Sequence, residues 1–135
     1  MKKKIIPKRK FNKKELKLEL RFDEDTNTAY GEYRAPEHFE GAPDIVHTGI
    51  IASILDETMT IVNKNVNVDT FTNELTIRYL RPAFINENLY IRGWVEKKNN
   101  KIMENRAEIE NDVGKIVARA KGKYLNIKEM PSLKK

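Results

Sequence analysis

The chain has 135 residues, 34% of them charged, with a formal net charge of +6, two histidines and no cysteine. That length supports one hydrophobic core, the absence of thiols excludes a disulfide framework and a thiolate metal site, and His38 and His47 alone are a poor basis for zinc. No apolar run approaches the ~20 residues of a membrane span, and MKKKIIPKRKFNKK offers only two adjacent isoleucines where a signal peptide needs more, so a cytoplasmic protein is expected.

Residues 1–14 carry eight Lys or Arg and no acid, and residues 128–135 carry three lysines against Glu129. The body between them is therefore mildly acidic. With neither a reader motif nor an aromatic platform beside the N-terminal basic cluster, no nucleic-acid partner is expected. Residues 1–14 read as a solvated basic tail, 15–127 as one domain and 128–135 as a short second tail.

The first element is LKLELRF (16–22), where Leu16, Leu18, Leu20 and Phe22 alternate with Lys17, Glu19 and Arg21 as in a half-buried strand. TAYGEYR (28–34) follows a polar turn and reads as a second strand. Pro36 to His47, broken by Gly41 and Pro43, has no regular pattern. Residues 49–65 then carry apolar side chains at helical spacing. Four further strands are expected in NELTIRYLRP (73–82), NLYIRGWVEKK (88–98), KIMENRAEIEND (101–112) and GKIVARAKGKYLNI (114–127). Asn99-Asn100 suits a tight hairpin turn, and Pro82 cannot donate to a sheet ladder. The order reads as two strands, one long helix and four strands in an antiparallel meander, without internal repeats. This is an α+β fold with the helix packed on one curved six-stranded sheet. One helix cannot cover both faces of such a sheet, so a second copy of the chain is expected to share the burial.

On the helix, Ile50, Ile51, Ile54, Leu55, Thr58, Ile61 and Val62 form the stripe that should face the sheet. The opposite face holds Ala52, Ser53, Asp56, Met59, Thr60 and Asn63, too small and uncharged for a solvent face in this chain. Asp56 reads either as a solvated surface acid or as a general base or nucleophile in a partly desolvated cleft. Glu57 reads as a flanking surface charge. The amides of Thr48 and Gly49, at the positive end of the helix, can polarise a carbonyl oxygen, and His47 either caps the helix or joins the site. Thr48 and Asp56 are separated by about 12 Å of helix rise. Both must come within about 3 Å of one reacting group. One helix can hardly do this; two antiparallel copies can, which puts the site at a dimer interface.

FEGAPDIVHTGIIASILDETM (39–59) resembles the signature of hotdog-fold acyl-CoA thioesterases, the superfamily of 4-hydroxybenzoyl-CoA and phenylacetate-pathway thioesterases. There a His-Gly-Gly precedes an apolar helix with Asp or Glu nine residues past the His, the spacing of His47 and Asp56. IRYLRP (77–82) resembles the strand end that follows, and the similarity spans residues 16–127. The resemblance implies hydrolysis of a fatty or aromatic acyl-CoA to free acid and CoA, in a homodimer or homotetramer with shared sites. It implies that Asp56 is the catalytic carboxylate, Thr60 positions the nucleophile or water, and His47 lies near the thioester. It further implies that the Thr48 amide donates to the oxyanion and that Gly49 is the second motif glycine. No cofactor is implied, since coenzyme A belongs to the substrate. Two departures stand out: Thr48 replaces the first glycine, and Gly41, beside Glu40, stands where many relatives carry Asn or Gln. Coenzyme A phosphates call for cations. Arg78, Arg81, Arg119, Lys121 and Lys123 are candidates, with Arg81 taken as the binding residue.

Two rival readings share the fold. HFEGAP (38–43) resembles the histidine loop of hotdog dehydratases, but the acid they need falls at Ala52, or at Ile54 if the longer loop is allowed for. A non-catalytic acyl-CoA sensor is the other alternative.

Overall fold

Six strands and one long helix make up the computed structural model, which describes residues 13–130. The elements are a single turn α1 (Lys13–Leu16), β1 (Arg21–Asp23), β2 (Thr28–Tyr33), α2 (Thr48–Asn65), β3 (Thr70–Tyr79), β4 (Leu89–Lys98), β5 (Ile102–Glu110) and β6 (Ile116–Asn126). The strands form one antiparallel sheet in the order β1-β2-β4-β5-β6-β3, with α2 packed against its inner face. This is the expected architecture. The two tails expected at 1–14 and 128–135 fall largely outside the described residues.

Three expectations need correction. The strand expected over 16–22 pairs only from Arg21. Leu16 closes α1 and Lys17 takes a left-handed φ of 52°. The Leu16 carbonyl is held by the Tyr33 hydroxyl at 2.6 Å instead of by a neighbouring strand. The alternation was nevertheless real: Leu16 is buried, and Leu18 and Leu20 pack against the core without a ladder.

The second correction concerns the meander. β4, β5 and β6 pair in succession, but β3 pairs with β6 at the far edge, Ile77 opposite Ala120. The connections explain this. Asn99 folds the β4–β5 turn by accepting from the N–H groups of Lys101 and Ile102, and Asn111 does the same for Val113 and Lys115 between β5 and β6. Such short loops make hairpins. Residues 80–88 between β3 and β4 are longer and contain Pro82, so β4 is free to lie beside β2.

The third correction concerns the helix. Ile51, Ile54, Leu55, Thr58 and Val62 are buried as expected, but so are Met59 and Asn63, both assigned to the opposite face. The sheet curls around the helix flank, and β5 supplies a polar partner. Asn105 Nδ2 donates to the Met59 carbonyl (3.1 Å) and to Asn63 Oδ1 (2.7 Å), and Asn63 donates on to Thr70. The buried Asn63 amide is thus satisfied at both its oxygen and its nitrogen, whereas Asn105 Oδ1 has no partner among the described residues.

Helix and sheet pack tightly at Gly93 of β4. A Cβ there would meet Thr58 Cγ2 at 2.8 Å and the Arg106 carbonyl at 3.3 Å. Thr58 cannot easily yield, because its hydroxyl is bonded to the Ile54 carbonyl at 2.6 Å. Gly93→Ala is therefore expected to overpack the interface and lower stability by about 1–3 kcal/mol, read as a lower midpoint in urea denaturation.

Candidate active site

The segment before α2 fixes where the helix starts. A turn at Glu37–Phe39 ends in buried Phe39, whose carbonyl accepts from the His47 N–H at 2.9 Å. Val46 donates to the Ala83 carbonyl, which ties the helix start to the connection between β3 and β4. His47 is the N-cap: its Nδ1 accepts from the Gly49 N–H at 2.8 Å. An accepting Nδ1 carries no proton, so the neutral imidazole holds its hydrogen on Nε2. The Gly49 amide is thereby engaged. The Thr48 N–H, first in the helix, has no intrahelical acceptor and no other among the described residues. The Thr48 carbonyl accepts from the Tyr79 hydroxyl at 2.9 Å, which anchors the helix start to β3.

Gly41 offers no side chain at the position where the family resemblance implies Asn or Gln. A Cβ there would lie 3.1 Å from His47 Cα, and the neighbouring Glu40 is occupied in accepting from the Asp44 N–H.

Asp56 is half-buried, and it is not turned away from the sheet as the helical wheel implied. Its Oδ1 accepts from the Tyr124 hydroxyl at 2.8 Å and from Thr72 Oγ1 at 3.1 Å. The edge of the curved sheet, β6 and β3, thus reaches around the helix flank. Both donors are neutral, and the ion pairs among the described residues join Arg92–Glu108, Arg106–Glu96 and Lys123–Glu74, not Asp56. Burial, and then the charge and hydrogen bond of Asp56, push the Tyr124 phenol far above its ordinary range. It remains a proton donor to the carboxylate. Among the described residues no cation pairs with the Asp56 carboxylate.

Thr60 lies half-buried one turn beyond Asp56, with no side-chain hydrogen bond among the described residues. Arg81 is exposed and donates to the Ile116 carbonyl through Nη1 at 2.6 Å. Two hollows flank the helix start. One of 430 Å³ is lined by His38, Phe39, His47, Gly49, Ile50 and Ser53. Another of 310 Å³ is lined by Thr48, Ile51, Tyr79, Arg81, Pro82 and Val117. Within one chain, then, His47 and Gly49 share one hollow, Thr48 and Arg81 the other, and Asp56 and Thr60 border neither. A larger hollow of 770 Å³, bordered by Tyr30, Tyr90 and Arg92, holds none of these residues. Arg119, Lys121 and Lys123 alternate with buried residues of β6 on the sheet face away from the helix, and Arg78 of β3 stands opposite Arg119. Among the described residues no three His, Asp or Glu side chains are grouped to hold a metal ion, and no helix is long and apolar enough to cross a membrane.

The sequence profile of the thioesterase superfamily matches residues 44–118, from the loop before α2 into β6. The chain belongs to the thioesterase superfamily. No curated protein sequence matches this superfamily member closely enough to stand as a relative. Among solved structures it is similar to the Escherichia coli PaaI protein from the phenylacetic acid degradation operon, at 21% identity and a TM-score of 0.76, over 84% of this chain and 81% of that one. It is also similar to a phenylacetic acid degradation-related protein of Ralstonia eutropha JMP134, at 22% identity and a TM-score of 0.76, over 83% and 86% of the two chains. A hypothetical thioesterase of Streptococcus pneumoniae TIGR4, solved with coenzyme A, matches at 17% identity and a TM-score of 0.71, over 73% and 80%. That protein was also solved as two single variants, one with alanine replacing an aspartate at its position 52 and one with alanine replacing a threonine at its position 68. At these identities the likeness shows the fold, which is the hotdog fold.

Two residues around Asp56 escaped the sequence reading. Thr72 lay just before the strand expected to begin at residue 73, and Tyr124 was one of several alternating positions in β6. Both are distant from Asp56 in sequence, and only the β3–β6 pairing unites them, Thr72 opposite Tyr124. His47, by contrast, acts locally. His47→Ala removes the N-cap acceptor and is expected to cost about 1 kcal/mol of stability, measured as a shift in the urea midpoint.

Proposed function

We propose that this thioesterase-superfamily chain hydrolyses the thioester of a fatty or aromatic acyl-CoA to free acid and CoA, with Asp56 as general base or nucleophile at a site shared by two subunits. The observation that carries the reading is the Asp56 carboxylate, half-buried, bonded by neutral donors through Oδ1 alone among the described residues. A carboxylate in that state can take a proton from water or attack a thioester carbon. The S. pneumoniae variants lend support: their two altered positions are 16 residues apart, as Asp56 and Thr72 are here. Thr72 therefore joins the proposed site as a positioning residue. Thr60, which the family resemblance assigned that task, stays a candidate for holding water on the open side of Asp56.

The oxyanion donor is the Thr48 N–H. Helix rise separates it from Asp56 of the same chain by about 12 Å, so the thioester is bound between the helix start of one subunit and Asp56 of another. β3 supports the pairing. It is a ten-residue edge strand with β6 as its one neighbour in the sheet, and an open edge of that length readily pairs with another copy. Arg81, beside Thr48, has guanidinium donors left after its bond to Ile116 and can meet a CoA phosphate. His47 and Gly49 shape the hollow beside the carbonyl.

Release of free thiol from a panel of short-chain, long-chain and aromatic acyl-CoAs tests the proposal. The unaltered protein should turn over at least one of them, and Asp56→Asn should lose at least about 100-fold in kcat. Arg81→Ala should raise KM with little change in kcat. Light scattering should give at least twice the chain mass. Tight binding of acyl-CoA without turnover above buffer would instead identify a sensor.

A further inference from the structure

Tyr124 lies beyond the part of the chain that the superfamily profile matches, and its motif does not include it. Its side chain is fully buried, yet its hydroxyl is spent on one atom, Asp56 Oδ1, at 2.8 Å across 68 residues of sequence. Thr72 donates to the same oxygen at 3.1 Å. A carboxylate oxygen has about two lone-pair directions, so these donors saturate Oδ1. Oδ2 receives no donor from the described residues. The carboxylate cannot rotate about Cβ–Cγ without breaking both bonds.

A second observation concerns how the ring is seated. Residues 122 and 124 point to the same face of β6, and the Tyr124 ring folds back over Gly122. A Cβ at 122 would lie 2.3 Å from the ring's Cε2 and 2.8 Å from both Cζ and the hydroxyl oxygen. A glycine inside a strand weakens it and commonly marks a close approach; here the space is filled by the aromatic ring that reaches Asp56. Packing alone would be served by phenylalanine, since a buried hydroxyl adds nothing unless it is bonded.

Resting on the reading of Asp56 given above, we infer that Tyr124, seated by Gly122, is a positioning residue that fixes Asp56 Oδ1 and leaves Oδ2 to face the thioester carbon or its attacking water. The groups around the carboxylate are Tyr124 from β6, Thr72 from β3 and, on α2 itself, Glu57, whose charge also acts on Tyr124.

The test compares Tyr124→Phe, Gly122→Ala and Asp56→Asn as full chains with the acyl-CoA turned over fastest. Tyr124→Phe keeps the ring and should fold, which a thermal melt verifies. Its kcat should fall by roughly ten- to a hundredfold, the range spanned by a hydrogen bond to a charged group, with KM unchanged. Gly122→Ala keeps the hydroxyl but displaces the ring, and should likewise reduce kcat with KM unchanged. Inactive Asp56→Asn alongside Tyr124→Phe or Gly122→Ala of unchanged kcat would overturn the inference while sparing the role of Asp56. Full activity in Asp56→Asn would overturn both.

Discussion

An acid removed from bulk water must be hydrogen-bonded, and the arrangement around Asp56 follows from that requirement. The donors come from the two strands at the sheet's open edge, Thr72 of β3 and Tyr124 of β6, which stand opposite each other in the ladder. Their reach brings the sheet around the helix flank, so that the helix is clasped and not simply laid on a flat surface. The same curl buries Met59 and Asn63, which a wheel drawn for a helix on a flat sheet leaves outside.

The contacts along α2 divide into structural and chemical ones. Apolar residues from Ile51 to Val62 and the close approach at Gly93 set the height of the helix above the sheet. His47 caps its start, and Tyr79 holds the Thr48 carbonyl, which fixes its rotation and position along the axis. With the helix held at both places, the Thr48 amide and the Asp56 carboxylate keep a constant separation. That separation is too great for one carbonyl to bridge, which on the proposed reading makes each chain the bearer of two half-sites.

Neutral donors suit the proposed chemistry better than an ion pair. A guanidinium beside Asp56 would stabilise its charge more strongly and make it a poorer base or nucleophile. Tyrosine and threonine orient the group without cancelling that charge. The cations of β6, such as Arg119 and Lys121, lie on the opposite face of the sheet.

The amino-acid sequence by itself determined what depends on neighbours close along the chain. Period-two alternation marked β4, β5 and β6; helical spacing marked α2 to within a residue; and the nine-residue interval from His47 to Asp56 marked the superfamily. The tertiary structure alone decided what depends on residues far apart in sequence. Whether β3 pairs with β4 or with β6 turns on the crossing of residues 80–88, and alternation is the same in either case. Leu16 to Leu20 alternate without joining a ladder, because periodicity reports which side chains are buried, not which backbone groups are paired. For the same reason Thr72 and Tyr124 carried no signal in their own segments: a hydrogen bond spanning 68 residues exists only once the strands between have paired.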